Sequence, residues 1–96
     1  MLDSYVRELR KCRNLVAQIT NTMNLLDAMA NKYNDLSNAI LLNYTIDEEK
    51  TPINKQIDLS KQNISQISNH LKSVTIPKIN NRIVYLKTTI SSLDEE

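Results

Sequence analysis

From Leu2 to Ile40 the chain repeats its apolar positions at alternating intervals of three and four residues. Leu2, Tyr5, Leu9, Cys12, Val16, Ile19, Met23, Leu26, Ala30, Tyr33, Ser37 and Ile40 fall on this pattern. They occupy the a and d positions of a heptad, written abcdefg. Nothing but an α-helix puts such positions on one face, because a strand would send alternate ones to opposite sides. About 40 residues of helix span roughly 60 Å, far beyond the usual three turns, so such a helix needs a partner along its whole length. Leu15, Met29 and Leu36 add apolar side chains at g, and Val6 and Leu41 add them at e. The stripe is therefore wider than a two-stranded seam and suits a helix with at least two neighbours.

Composition supports the same class. The 96 residues contain no Gly. Hairpin turns and phosphate-cradling loops draw on Gly because it reaches positive φ at no steric cost, so a β-rich or P-loop domain is not expected. There is no Phe or Trp and there are four Tyr, so Ile, Leu, Val and Met carry the packing. Twelve basic against eleven acidic residues give a net charge of +1, which argues against nucleic-acid or membrane-surface binding through bulk charge. A lone cysteine, Cys12, excludes an intrachain disulfide and points to a reducing, cytoplasmic setting. No apolar run approaches the roughly 18 to 20 residues of a membrane span.

Two further segments follow. Thr51-Pro52 reads as a helix start, with proline at the first helical position. Ile53, Ile57, Ser60, Ile64, Ile67, Leu71 and Val74 then continue the three-four spacing, with Leu59 off the stripe. The connection is residues 43–50, and a connection this short makes the two helices antiparallel neighbours. At Thr75-Ile76-Pro77 the repeat slips, and proline disfavours helix both in itself and in the residue before it, so a break or sharp kink is expected. Ile79, Ile83, Leu86, Ile90 and Leu93 resume the spacing. The expected fold is all-α: an antiparallel hairpin plus a short third helix, forming a three-helix bundle in one domain, with helices near 3–42, 52–74 and 78–93. Asp3 or Ser4 is expected to cap the first. Leu26 and Ile67, both d positions in mid-helix, are expected to be core residues whose truncation destabilises the fold.

Sites of chemistry are scarce. His70 is the only histidine, and beside a single distant cysteine it reads as a boundary residue rather than a ligand. Cys12 at d reads as a small core residue. No nucleophile-base set, useful carboxylate pair or Walker-type loop is present, so neither an enzyme nor a cofactor is expected. Arg7, Arg10 and Lys11 fall at f, b and c, away from the seam, and with Arg13 form a basic cluster. This is either a solvated outer face or a dock for something acidic. Tyr5 and Tyr33 read as seam residues with the hydroxyl at the rim.

The stretch YVRELRKCRNLVAQITNTMNLLDAMANKYNDLSNAIL, beginning at Tyr5, resembles the first helix of the N-terminal Habc domain of syntaxins. The likeness lies in the opening pair Tyr5-Val6, in Leu15, Ile19, Leu26 and Met29 through the middle, and in Tyr33 followed three residues later by Leu36. DEEKT resembles the linker of that domain, and INKQIDLSKQNISQISNHLKSV its second helix as far as Leu71-Lys72. The resemblance covers about residues 5 to 74. It departs from the family after that, where a full third helix, a SNARE motif and a membrane anchor are missing. It implies a regulatory domain in membrane fusion, a piece of a longer protein or a reduced relative, which folds onto a SNARE helix or binds regulators.

The expected function is thus a helical protein-protein interaction module. Its partner would be an amphipathic helix, from another protein or from a missing C-terminal segment, in a groove at Leu15, Met29, Leu36 and Leu41 flanked by Arg7, Arg10 and Lys11. The alternative is a coiled-coil subunit of a multi-helix assembly, such as a tethering, lysosome-positioning or kinetochore complex.

Overall fold

The computed structural model describes residues 1–43 and 47–94. It is helical almost throughout, with no strand among the described residues. Helix α1 runs Leu2–Asn43, α2 runs Asp47–His70, and α3 runs Ile76–Asp94. Between α2 and α3, Leu71–Thr75 form one wide π-helical turn. The shape is a rod of 74 × 16 × 13 Å.

Three observations define the architecture. The second half of α1 packs on α2, and its first half packs on α3. Glu8 of α1 meets Arg82 of α3, while Ser37 of α1 meets Asn54 of α2. The backbone stays helical through the join of α2 and α3, with Ile76 itself at φ −61° and ψ −46°. The second and third segments are therefore one continuous arm lying antiparallel to α1. This corrects the expected three-helix bundle. The third segment does not fold back as a third layer but prolongs the second along the part of α1 that α2 leaves uncovered.

The expected break at Pro77 is a wide turn instead. Val74 to Ile79 is an interval of five, one residue more than the repeat allows. A π turn absorbs one extra residue: the Ile76 N–H donates to the Leu71 carbonyl, five residues back. The apolar face then stays on α1 instead of swinging away. Proline directly follows this turn, where the ring is not held against the carbonyl four residues back as a regular helix would hold it. The same chain needs no glycine, and no described residue has positive φ.

On α1, each of the twelve a and d residues is at least partly shielded from solvent and Ile40 is buried, while Val6, Leu15, Met29, Leu36 and Leu41 stay exposed. On the other arm Ile57, Ile64 and Leu86 are buried, and Leu86 is 0% exposed. Ile67 departs from expectation at 51% exposed, and Ser68 takes its place on the seam. The shielded seam positions here are Ser60, Ile64, Ser68 and Leu71, so the seam takes one four-four step in place of the expected four-three. Two helix starts also differ. Helix α1 begins at Leu2, with Met1 accepting from the N–H groups of Ser4 and Tyr5, so Asp3 and Ser4 lie inside the first turn and neither is the cap. Helix α2 begins at Asp47, which leaves Pro52 inside it. The acidic run 47–49 consists of residue types favoured at a helix N-terminus. The remainder of the expected connection, residues 44–46, lies outside the described residues.

Candidate interaction surface

A second stripe runs down α1, one residue ahead of the seam and so about 100° around the helix. Lys11, Leu15, Gln18, Thr22, Leu25, Met29, Lys32, Leu36 and Ala39 keep the same three-four spacing at positions g and c. The large apolar members, Leu15, Leu25, Met29 and Leu36, are all exposed, Leu25 by 66%. Thr22 donates its hydroxyl to the Gln18 carbonyl at 3.0 Å, so its hydroxyl proton is used within the helix. From residue 14 to residue 31 the only charge is Asp27, at e and off the stripe. Helix α1 thus carries two apolar seams, one filled by the second arm and one open.

Toward the hairpin end the open seam is hollowed. Met29, Lys32, Tyr33 and Leu36 line a depression of 260 Å³. Tyr33 also lines its neighbour, shared with Pro52, Ile53, Gln56, Ile57 and Ser60 of α2. The two adjoin at Tyr33 and form a shallow, mainly apolar trough, with Lys32, Gln56 and Ser60 the polar side chains of its lining. Tyr33 is half-buried and lines both.

Of the four residues expected to form a groove, Leu15, Met29 and Leu36 share this stripe. Leu41 does not: at e it lies across the seam, next to the exposed Leu42. Leu25 was not among the residues expected, yet it continues their line. Its signal was in the sequence as a three-four interval offset by one from the dominant repeat.

At the open end of the rod, Arg7, Arg10 and Lys11 are exposed. Arg82 and Glu8 form a two-pronged ion pair across the helices, Nε to Oε2 at 2.7 Å and Nη2 to Oε1 at 2.9 Å. The guanidinium also stacks 4.8 Å from the centre of the Tyr85 ring. The hydrogen bond from Arg82 is the chief cause that holds the Glu8 carboxyl below its ordinary value, and the same bond raises Arg82. This pair fastens α3 to α1. His70 is exposed beside the π turn, and Cys12 is a half-buried free thiol on the seam. Among the described residues no group of His, Cys, Asp or Glu is placed to hold a metal ion. No described helix is long and apolar enough to cross a membrane. No family model, curated protein or solved structure matches the chain.

Proposed function

We propose that the chain is a non-enzymatic helical interaction module, a preformed two-helix rod that joins one further amphipathic helix along the outward stripe of α1. In this reading it is a coiled-coil subunit of a multi-helix assembly, of the kind found in tethering, lysosome-positioning or kinetochore complexes. The observation that carries it is the open g/c seam: helical spacing, an apolar centre nearly free of charge, and no covering element among the described residues. An incoming helix gains about 25 cal/mol for each Å² of apolar surface it covers, before the cost of ordering. Arg7, Arg10 and Lys11 favour an acidic helix at the open end.

The test is titration of the chain with acidic amphipathic helices, read by fluorescence anisotropy. Leu36→Asp is expected to abolish binding and Arg10→Glu to weaken it in a salt-dependent way. Binding that ignores both substitutions removes the reading.

A second reading rests on the resemblance of residues 5–74 to a syntaxin Habc domain. Such a domain has three helices, and this rod supplies two. A regulator of membrane fusion built on it would take its third helix from a SNARE-type segment laid in the same trough. A SNARE-motif peptide would then bind well above unrelated acidic helices of equal length. Equal binding of both kinds of peptide discards this second reading and keeps the first.

A further inference from the structure

We infer that the helix seated on the outward stripe is α1 of a second copy of this chain, running antiparallel, so that two rods form a four-helix bundle about a twofold axis. The inference rests on the reading of the stripe as a docking surface and names its occupant.

Surface area is the first argument. A folded monomer of 11.1 kDa is expected to expose about 5,700 Å², and this chain exposes 7300 Å². The excess of roughly 1,600 Å² is ample for the ~800 Å² that each partner gives up in a standard interface.

Charge gives the second argument and sets the direction. The open-end half of the rod, residues 1–22 and 68–96, holds eight Lys and Arg against five Asp and Glu. The hairpin-end half, residues 23–67, holds four against six. Each rod is thus basic at one end and acidic at the other, and antiparallel copies bring unlike ends together. A parallel pair would set Lys11 against Lys11 and Lys32 against Lys32 on the stripe itself, a like-charge arrangement that opposes association. A net charge of only +1 leaves little general repulsion between copies.

The third argument is the stripe's own symmetry. With the twofold axis at residue 27, between Leu25 and Met29, an antiparallel copy sets Leu25 opposite Met29, Gln18 opposite Leu36 and Thr22 opposite Lys32, so stripe positions meet stripe positions and the two Lys32 side chains are kept apart. That is the requirement for an isologous contact, in which one patch meets itself.

The experiment is analytical ultracentrifugation of the full chain across a wide concentration range, with circular dichroism in parallel. The chain is expected to be a dimer. Leu25→Asp and Met29→Asp are each expected to weaken it by about 10- to 100-fold, since each places a charge where an apolar side chain would be buried. Helical content should not change, because both positions are exposed in the rod. Val84→Asp, on the back of α3, is expected to leave the dimer intact. Spin labels then fix direction, in a Cys12→Ala background. Label pairs at Ala28→Cys should lie close together, and pairs at Arg10→Cys should lie about 50 Å apart, at 1.5 Å per residue.

A chain that stays monomeric at high concentration overturns the inference, as does a dimer indifferent to both stripe substitutions, or short distances at both labels. A monomer that still captures an acidic helix, and loses it on Leu25→Asp, overturns the self-pairing while keeping the docking function. A monomer whose stripe binds nothing removes both.

Discussion

Leu86 and Ile67 occupy the same kind of position in the repeat and have opposite surroundings. Leu86 is wholly enclosed between α3 and α1, whereas half of Ile67 is in water. Leu86→Ala is expected to cost about 3 kcal/mol, as a well-packed leucine truncation does. Ile67→Ala is expected to cost less than about 1 kcal/mol, because an exposed side chain loses little burial. Denaturant midpoints for the two variants check this, and equal shifts would show that the seam does not pass through Ser68. The residue-by-residue seam was legible in the first helix, where every a and d position is shielded and every apolar e and g position is not. On the second arm the strict heptad points to Ile67, whereas the seam takes a four-four step from Ser60 through Ile64 to Ser68.

Glu8 gives the corresponding prediction for pH. Its pKa is depressed in the folded state, so the stability it adds is present above the unfolded carboxyl value and is lost as pH falls through the folded one. Below about pH 4 to 5 the chain should weaken more steeply than a Glu8→Gln variant, whose curve should be flatter there. The effect is small, since the pair is exposed and salt screens it. Acid titrations of the two proteins that superimpose in low salt would show that the cross-helix pair adds nothing to stability.

At the scale of the element, the π turn is the informative feature. Proline was read as a stop, since it lacks an N–H and clashes with the preceding turn. The interval of five from Val74 to Ile79 was also visible, and it reads as an inserted residue that a wide turn accommodates. What could not be read from spacing was that a partner runs past this point. Helix α1 extends beside α3, and keeping the apolar face of α3 on it outweighs the poorer hydrogen bonding of one turn. Ser73 adds a local bond of its own, donating its hydroxyl to the Asn69 carbonyl at 2.6 Å. The prediction is a paired change: deletion of Thr75 with Pro77→Ala should give an uninterrupted α-helical arm with a melting temperature at or above that of the parent. Deletion of Ser65, which has no wide turn to remove, should lower it by several degrees by throwing the rest of the arm out of phase. Thermal melts read both. If the two deletions destabilise alike, the π turn is not what absorbs the extra residue.

The whole molecule is organised by length rather than by a centre. Ile40, Ile57, Ile64 and Leu86 are the only buried apolar side chains among the described residues, and they are spread along the rod. The radius of gyration is 21.2 Å, where a compact domain of 96 residues would have about 12 to 13 Å. This difference follows from two helical stretches of nearly equal length, the second kept in phase across its slipped repeat by the π turn, which cover each other by running side by side. A three-helix bundle would need the arm to break at Pro77, and the π turn keeps it whole. Small-angle scattering therefore separates the two architectures directly. The chain should give a radius of gyration near 21 Å and a longest dimension near 74 Å. Side-by-side antiparallel pairing would double the scattering mass while lengthening the particle little, because the second rod adds width. A radius nearer 13 Å, at monomer mass, would mean that the third segment folds back after all. The outward stripe of α1 would then be covered from within the chain, and the case for an external helix would fall with it.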